Sequence, residues 1–377
     1  MQRNQDKENM RFMSPTFGTG SRPNVNEAQP KTVHLGGTKK KLKLILLALI
    51  VLVVVIAGLF GWTFYSIASR LTGESNPYTI LRTILPQPVK LSNGRVNILL
   101  AGYSADSLHH QGADLTDSIM IISINPKSSQ AVMISVPRDL WVNIPGNGYS
   151  KINAAYEDGL WQKFQQPGYF NGGMGLLQQV IEHDFGIKLD YYALINYAAI
   201  KDGVNAIGGI TINIQSPDPR GIYDPYTHIK LPNGPNKLNG QEALDLARTR
   251  GDGPGAYGIP NADFTRTQYQ QEMLLALKEK AASASSILDP LTVVRLANAV
   301  GNNVQTDLNI GQLETLNGYV HKIHKQNVRQ ITLNNYNGQD LLMNYYTPNG
   351  QDALIPAAGF DQYSAISNVL RQLLGVQ

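Results

Sequence analysis

The strongest constraint on this chain is an uncharged run from Leu44 to Ala68, whose first half, Leu44 to Ile56, is apolar without interruption. Roughly 20 apolar residues are enough to cross the hydrocarbon core of a bilayer, so the run predicts a single membrane-spanning helix. It starts too deep in the chain and runs too long for a signal-peptide core, and no A-x-A-like cleavage site follows before Trp62, Phe64 and Tyr65. Lys39, Lys40, Lys41 and Lys43 abut its first end, against a lone Arg70 past the other. The positive-inside rule then keeps the N-terminal tail in the cytoplasm and puts the large remainder outside the plasma membrane, with Trp62 and Tyr65 as interfacial anchors.

Charge follows the same division. Residues 1–43 carry nine basic and three acidic side chains, so of the chain's formal +4 the rest holds −2. The tail reads as disordered, and its lysines set topology and touch anionic membrane lipid. No basic stripe remains in the folded part to bind nucleic acid. Cysteine is absent, which excludes disulfides, thiol catalysis and thiolate metal sites. The predicted division is a tail over 1–43, the span over 44–68, a proline-bearing stalk over 69–93, a main domain over 94–285 and an extension over 286–377.

Beyond the stalk, strand and helix patterns alternate. Buried-type strands are predicted at Val96–Ala101, Ser118–Ile124 and Ala131–Val136, the last two forming a hairpin through Asn125-Pro126-Lys127. Helices are predicted at Gly175–Phe185 and Ala198–Ile207, with strands at Tyr191–Ile195 and Ile210–Ile214. The fold class expected is α/β, a mixed central sheet flanked by helices, behind the transmembrane helix. The extension reads as helices at Pro290–Val300 and Leu308–Lys325, a strand at Val328–Leu333 and a closing amphipathic helix after Asp361.

Arginines punctuate these segments. Arg138 ends Ser135-Val136-Pro137-Arg138, Arg248 and Arg250 follow a helix opened by a capping box at Asn239–Glu242, and Arg266 shares a helix face with Gln270. Two residues apart on an extended segment, Arg248 and Arg250 would face one way. Guanidinium groups held still suit oxygen-rich anions such as phosphate, and outside a membrane a phosphorylated lipid is the natural candidate. Its chain calls for a hydrophobic groove ending near the arginines, with Leu176, Val180, Ile195 and Ile207 as expected lining.

Eight pieces in order carry a resemblance. They are Asn97 to Gly102; Thr116-Asp117-Ser118; Ser135 to Asp139; Lys151 to Tyr156; Asp190-Tyr191-Tyr192; Ala206 to Ile210; Leu238 to Leu244 with Arg248-Thr249-Arg250; and Asp263 to Arg266 with Gln270-Gln271. From about Val96 to Leu277 the chain resembles the LytR-CpsA-Psr family, also called cell-envelope-related transcriptional attenuator domains. The resemblance implies a phosphotransferase that moves a glycopolymer from a polyprenyl-pyrophosphate carrier to peptidoglycan with Mg²⁺ or another divalent cation. It implies that Arg138, Lys151, Arg248, Arg250, Arg266 and Gln270 hold the pyrophosphate, with Arg138, Arg248 and Arg250 catalytic. Asp139 is placed with them, orienting Arg138 or helping proton transfer. Asp117 is the implied metal ligand, with Asp106 as a second.

The chain departs from the commoner family pattern. Gly102-Tyr103-Ser104 stands where Gly-x-Asp is usual, Leu115 and Tyr269 where arginines are usual, and Thr265 in place of a glycine. His109 and His110 in the altered loop read as polar loop residues, since neighbouring side chains point apart. Gly251 to Gly255 lacks the lysine of a P-loop and reads as a mobile loop beside the site. The alternative function is a non-catalytic polyprenyl-phosphate binder or envelope regulator.

Overall fold

The structure, a computed structural model, describes Asn76 and residues 85–104, 114–282 and 303–375, all within a compact unit running from residue 62 to 377. The expected span over 44–68, Asp106, His109, His110 and the expected helix over 290–300 lie outside the described residues. Among the described residues no helix is long and apolar enough to cross a membrane.

Strands β1 (Val96–Tyr103), β2 (Thr116–Asn125) and β3 (Gln130–Val136) pair antiparallel in sequence. The predicted hairpin between β2 and β3 is present. Asn125 Oδ1 closes its turn by accepting from Lys127 N at 3.0 Å and Ser128 N at 3.1 Å. A separate hairpin, β4 (Trp141–Ile144) and β5 (Gly148–Lys151), precedes helices α1 (Ala155–Trp161) and α2 (Gly172–Phe185). β6 (Tyr191–Asn196) then runs parallel to β1. After α3 (Tyr197–Ala206) and β7 (Ile210–Ile214), the short strands β8 (Ile222–Asp224) and β9 (Ile229–Leu231) pair, and β10 (Gly234–Leu238) returns along β7. Helices α4 (Gly240–Arg248) and α5 (Ala262–Ala282) follow. The capping box opening α4 is present, with Asn239 Oδ1 accepting from Glu242 N at 3.0 Å and Glu242 Oε2 from Asn239 N at 2.8 Å.

The rest of the chain supplies β11 (Val304–Thr306), α6 (Ile310–His321), β12 (Val328–Thr332), two small hairpins, β13 (Asn335–Tyr336) with β14 (Gln339–Asp340) and β15 (Leu342–Tyr346) with β16 (Asp352–Pro356), and α7 (Ser364–Leu374). The main sheet has the order β11-β6-β1-β2-β3-β12. Both of its edge strands therefore come from beyond residue 285.

Successive side chains of a strand face opposite sides, and here both sides are covered by helices. Leu99, Ala101, Ile121 and Ile134 pack with Leu176, Leu177, Val180 and Ile181 of α2 and Ile366 and Leu370 of α7. Met120, Met133 and Leu100 meet Leu274 and Leu275 of α5 on the other side. The result is the expected mixed central sheet between helical layers.

One core carboxylate carries a prediction. Burial pushes the Asp184 carboxyl up from its ordinary 3.8 to about 6, against the pull of His183. An acid whose pKa is raised in the fold contributes stability that is whole below its unfolded pKa and lost as pH rises through the folded one. Asp184→Asn is therefore expected to raise stability at pH 7 by about 1–3 kcal/mol and to change it little at pH 4. Chemical denaturation at the two pH values measures this, and an equal gain at both would contradict it.

Candidate active site

A cavity of ≈ 420 Å³ opens on the α5 side of the sheet, between the ends of β1 and β2 and helices α3, α4 and α5. Its walls are of two kinds. Leu100, Met120, Ile200, Val204, Leu274 and Leu277 line an apolar part, while Asp117, Arg138, Arg248, Arg250, Arg266 and Gln270 line the polar part. Of the four lining residues expected from sequence, Ile195 is on this wall. Leu176 and Val180 belong instead to the core on the opposite side of the sheet, and Ile207 to the core under β7 and β10. Helical spacing marks a buried face without telling which layer it faces.

The polar part is an ion-pair network. Arg138 donates to Asp117 Oδ1 through Nη1, and its Nε lies 3.4 Å from Asp263 Oδ2 and 3.7 Å from Asp139 Oδ2. Asp139 Oδ1 also accepts from Lys151 Nζ at 2.6 Å. Asp263 meets Arg250 Nε at 2.8 Å and Arg266 Nη1 at 3.2 Å, so it touches three guanidinium groups. Arg250 Nε lies 3.2 Å from Asp252 as well. Arg266 Nη2 donates to Asp117 O at 3.1 Å. Arg248 stacks over the Tyr197 ring, 4.9 Å from its centroid.

These contacts set the electrostatics. Burial alone pushes the Asp263 carboxyl up, but Arg266, Arg138 and Arg250 more than offset it and hold the group below the usual carboxylate range. Burial opposes the charge on Arg138, yet Asp263, Asp117 and Asp139 prevail and raise it. Arg266 is pushed down by burial, its side chain being only 6% exposed. Its buried Nε has no hydrogen-bond partner among the described residues.

The backbone holds the arginines in place by a device that sequence reading missed. Asp224, at the end of β8, accepts through Oδ2 from Thr249 Oγ1 at 3.0 Å, Arg250 N at 2.8 Å and Gly251 N at 2.8 Å. Gly251 has φ +76, which turns its N–H back toward that carboxylate without strain. The segment expected to be a mobile glycine-rich loop is thus tied down at its start. Nor do Arg248 and Arg250 share an extended strand: Arg248 ends α4, Thr249 caps it with ψ 131, and the cap brings both arginines to the cavity.

Gln270 lines the cavity with the arginines and also bridges elements. Its Oε1 accepts from Ser118 Oγ at 2.8 Å and its Nε2 donates to Ala247 O at 2.9 Å, so both ends of the amide tie α5 to β2 and α4. Tyr269 packs in the apolar cluster under β7 and β10, and Thr265 Oγ1 donates to Pro260 O. Asp139 is bonded to Lys151 and lies 3.7 Å from Arg138 Nε. Among the described residues no three carboxylates or imidazoles converge as a metal cage.

The model of the LytR_cpsA_psr family matches residues 70–354. The chain belongs to that family. Among its relatives, the polyisoprenyl-teichoic acid–peptidoglycan teichoic acid transferase TagU of Oceanobacillus iheyensis is 33% identical over 223 residues, which cover 59% of this chain and 61% of that protein. TagU of Bacillus cereus is 28% identical over 315 residues, 82% of this chain and 93% of that one. A solved structure of TagT bound to LI-WTA superposes with a TM-score of 0.56 at 25% identity, covering 77% of this chain and 95% of TagT. In this LytR_cpsA_psr member the matched region runs past residue 285 and takes in both edge strands of the sheet.

Proposed function

We propose that the protein is a membrane-anchored, extracytoplasmic phosphotransferase that moves a glycopolymer from a polyprenyl-pyrophosphate carrier to peptidoglycan in cell-wall assembly. The observation that carries this reading is one cavity whose arginine-lined part runs directly into an apolar part. A pyrophosphate bearing a long hydrocarbon chain has the same division. The names of the transferase relatives support it. The lysines before the Leu44–Ala68 run support the topology.

In the reaction the acceptor hydroxyl attacks the phosphorus that carries the glycopolymer and gives up its proton to Asp139 or to water, and the bond to the bridging pyrophosphate oxygen breaks. The polyprenyl phosphate leaves with the electron pair. Arg138, Arg248, Arg250 and Arg266 stabilise the charge that grows on it, and Lys151 adds a further cation at the edge of the group. Carboxylates already holding these cations in place reduce the reorganisation needed when the anion arrives. Gln270 keeps α4, α5 and β2 in register around the arginines.

The expected metal is Mg²⁺, an oxygen-seeking ion that takes one or two carboxylates and completes its shell with phosphate oxygens and water. Asp117, on the cavity wall, is the described residue that would hold it, with Asp106 as the second ligand. Bound there it would neutralise charge on the pyrophosphate oxygens.

The test is incubation of the purified full chain in detergent with a polyprenyl-pyrophosphate-linked glycan, Mg²⁺ and peptidoglycan. Polyprenyl phosphate is expected to appear with time, together with glycan bound to the acceptor. Binding of the lipid without product would refute the enzymatic reading and favour a regulator.

A further inference from the structure

An aromatic ladder begins beside the phosphate site and leads away from it. In the β4–β5 hairpin Trp141 stands opposite Lys151 and Asn143 opposite Tyr149, so these four side chains share one face. Val142 and Ile144 fill the other face and are fully buried. Lys151, bonded to Asp139, is thus two residues from Tyr149 on the same side of one strand, about 7 Å away.

From that edge the rings follow one another. Trp141 lies 6.4 Å from Tyr345, Tyr345 lies 5.9 Å from Phe360, and Phe360 lies 4.8 Å from Tyr149. Trp141 is covered, but Phe360 and Tyr149 are 40% and 43% exposed. Large apolar rings left in contact on a surface mark a binding site more often than chance exposure does.

Charge selects the occupant. Two ionic groups border the ladder: Lys151, already paired with Asp139, and the carboxylate of Asp361, which accepts from Tyr149 Oη, while the exposed Asn143 lies across from Tyr149. A carboxylate repels an anionic bilayer surface, whereas carboxylates and amides accept and donate to sugar hydroxyls while aromatic faces stack on the C–H faces of pyranose rings. We infer that Tyr149, Phe360 and Tyr345 form a platform for an uncharged pyranose chain, which guides the acceptor glycan to the Lys151 edge of the phosphate site. This rests on the transferase reading above for the identity of the acceptor.

The experiment uses the full chain in detergent and a β-1,4-linked N-acetylglucosamine hexamer as probe, read by quenching of the emission that Trp141→Phe removes. Tyr149→Ala with Phe360→Ala is expected to weaken binding of the hexamer at least about tenfold, the scale of one or two aromatic contacts. Phe360→Tyr should restore it. Both positions are exposed, so the fold should be unaffected, and cleavage of the lipid pyrophosphate by water serves as the control, expected to change less than twofold. The apparent KM for the acceptor should rise; a rise for the lipid-linked donor instead would make the donor's own sugars the occupant of the same platform. Unchanged hexamer binding in the double variant would overturn the inference. Quenching of the Trp141 signal by brominated acyl chains after reconstitution would overturn it in favour of membrane seating. If the unaltered protein cleaves no pyrophosphate, the transferase reading fails while the hexamer titration still decides the platform.

Discussion

Arg250→Ala is expected to slow turnover by about 10²–10³-fold, the effect of removing one preorganised donor from charge that develops in a transition state. Its side chain is 36% exposed and touches Asp252 and Asp263, partners that keep solvent or other cations when it is lost. Stability should therefore change by no more than about 1 kcal/mol. Arg248→Ala should behave alike, because what it leaves behind is the Tyr197 ring. Arg250→Lys should recover only part of the rate, since an ammonium cannot make the two parallel contacts of a guanidinium. The check is kcat/KM for pyrophosphate cleavage beside a denaturation curve. Near-normal turnover in Arg250→Ala would remove this arginine from the site.

Arg138 and Arg266 cannot serve as equally clean probes. Both are built into the fold by their partners as well as facing the cavity. Arg138 is 19% exposed against three carboxylates, and Arg266 is 6% exposed. Removing either leaves partly buried anions without a counter-charge, so loss of activity and loss of fold would be mixed.

What was legible in the sequence follows the range of each signal. The β2–β3 turn, the Asn239 capping box and the Ile210–Ile214 strand depend on residues within a few positions, and local chemistry is enough to place them. The mixed sheet was legible as a pattern and β12 as a strand at Val328–Leu333, but the short β11 was not, nor was the pairing of these two edge strands with β6 and β3 far back in the chain. The arginines were legible as residues that suit phosphate. Their partners were not, because Asp224 lies 26 positions before the Arg250 amide it holds and has no periodic relation to it. The further contacts of Gln270 were hidden for the same reason: helix spacing puts it beside Arg266, and only the packed structure shows its amide bonded to Ser118 and Ala247.

Asp263 had a local signal, the three-residue step to Arg266, and it carries the second large effect. Its carboxylate is shared by Arg138, Arg250 and Arg266, and those three cations would repel one another without it. Asp263→Ala is expected to lower stability by about 2–4 kcal/mol, somewhat under the range for a fully buried ion pair because the side chain is 21% exposed. Asp263→Asn keeps the shape and loses the charge, so it should lie between the two in stability. Both variants should bind a polyanion more tightly at low salt while turning over at least about tenfold more slowly, because the arginines then meet the ligand without being held in one geometry. Denaturation curves and inorganic pyrophosphate binding at two salt concentrations separate these effects. Unaltered stability in Asp263→Ala would show that the three arginines do not depend on this carboxylate, and the network would then have to be centred on Asp117 instead.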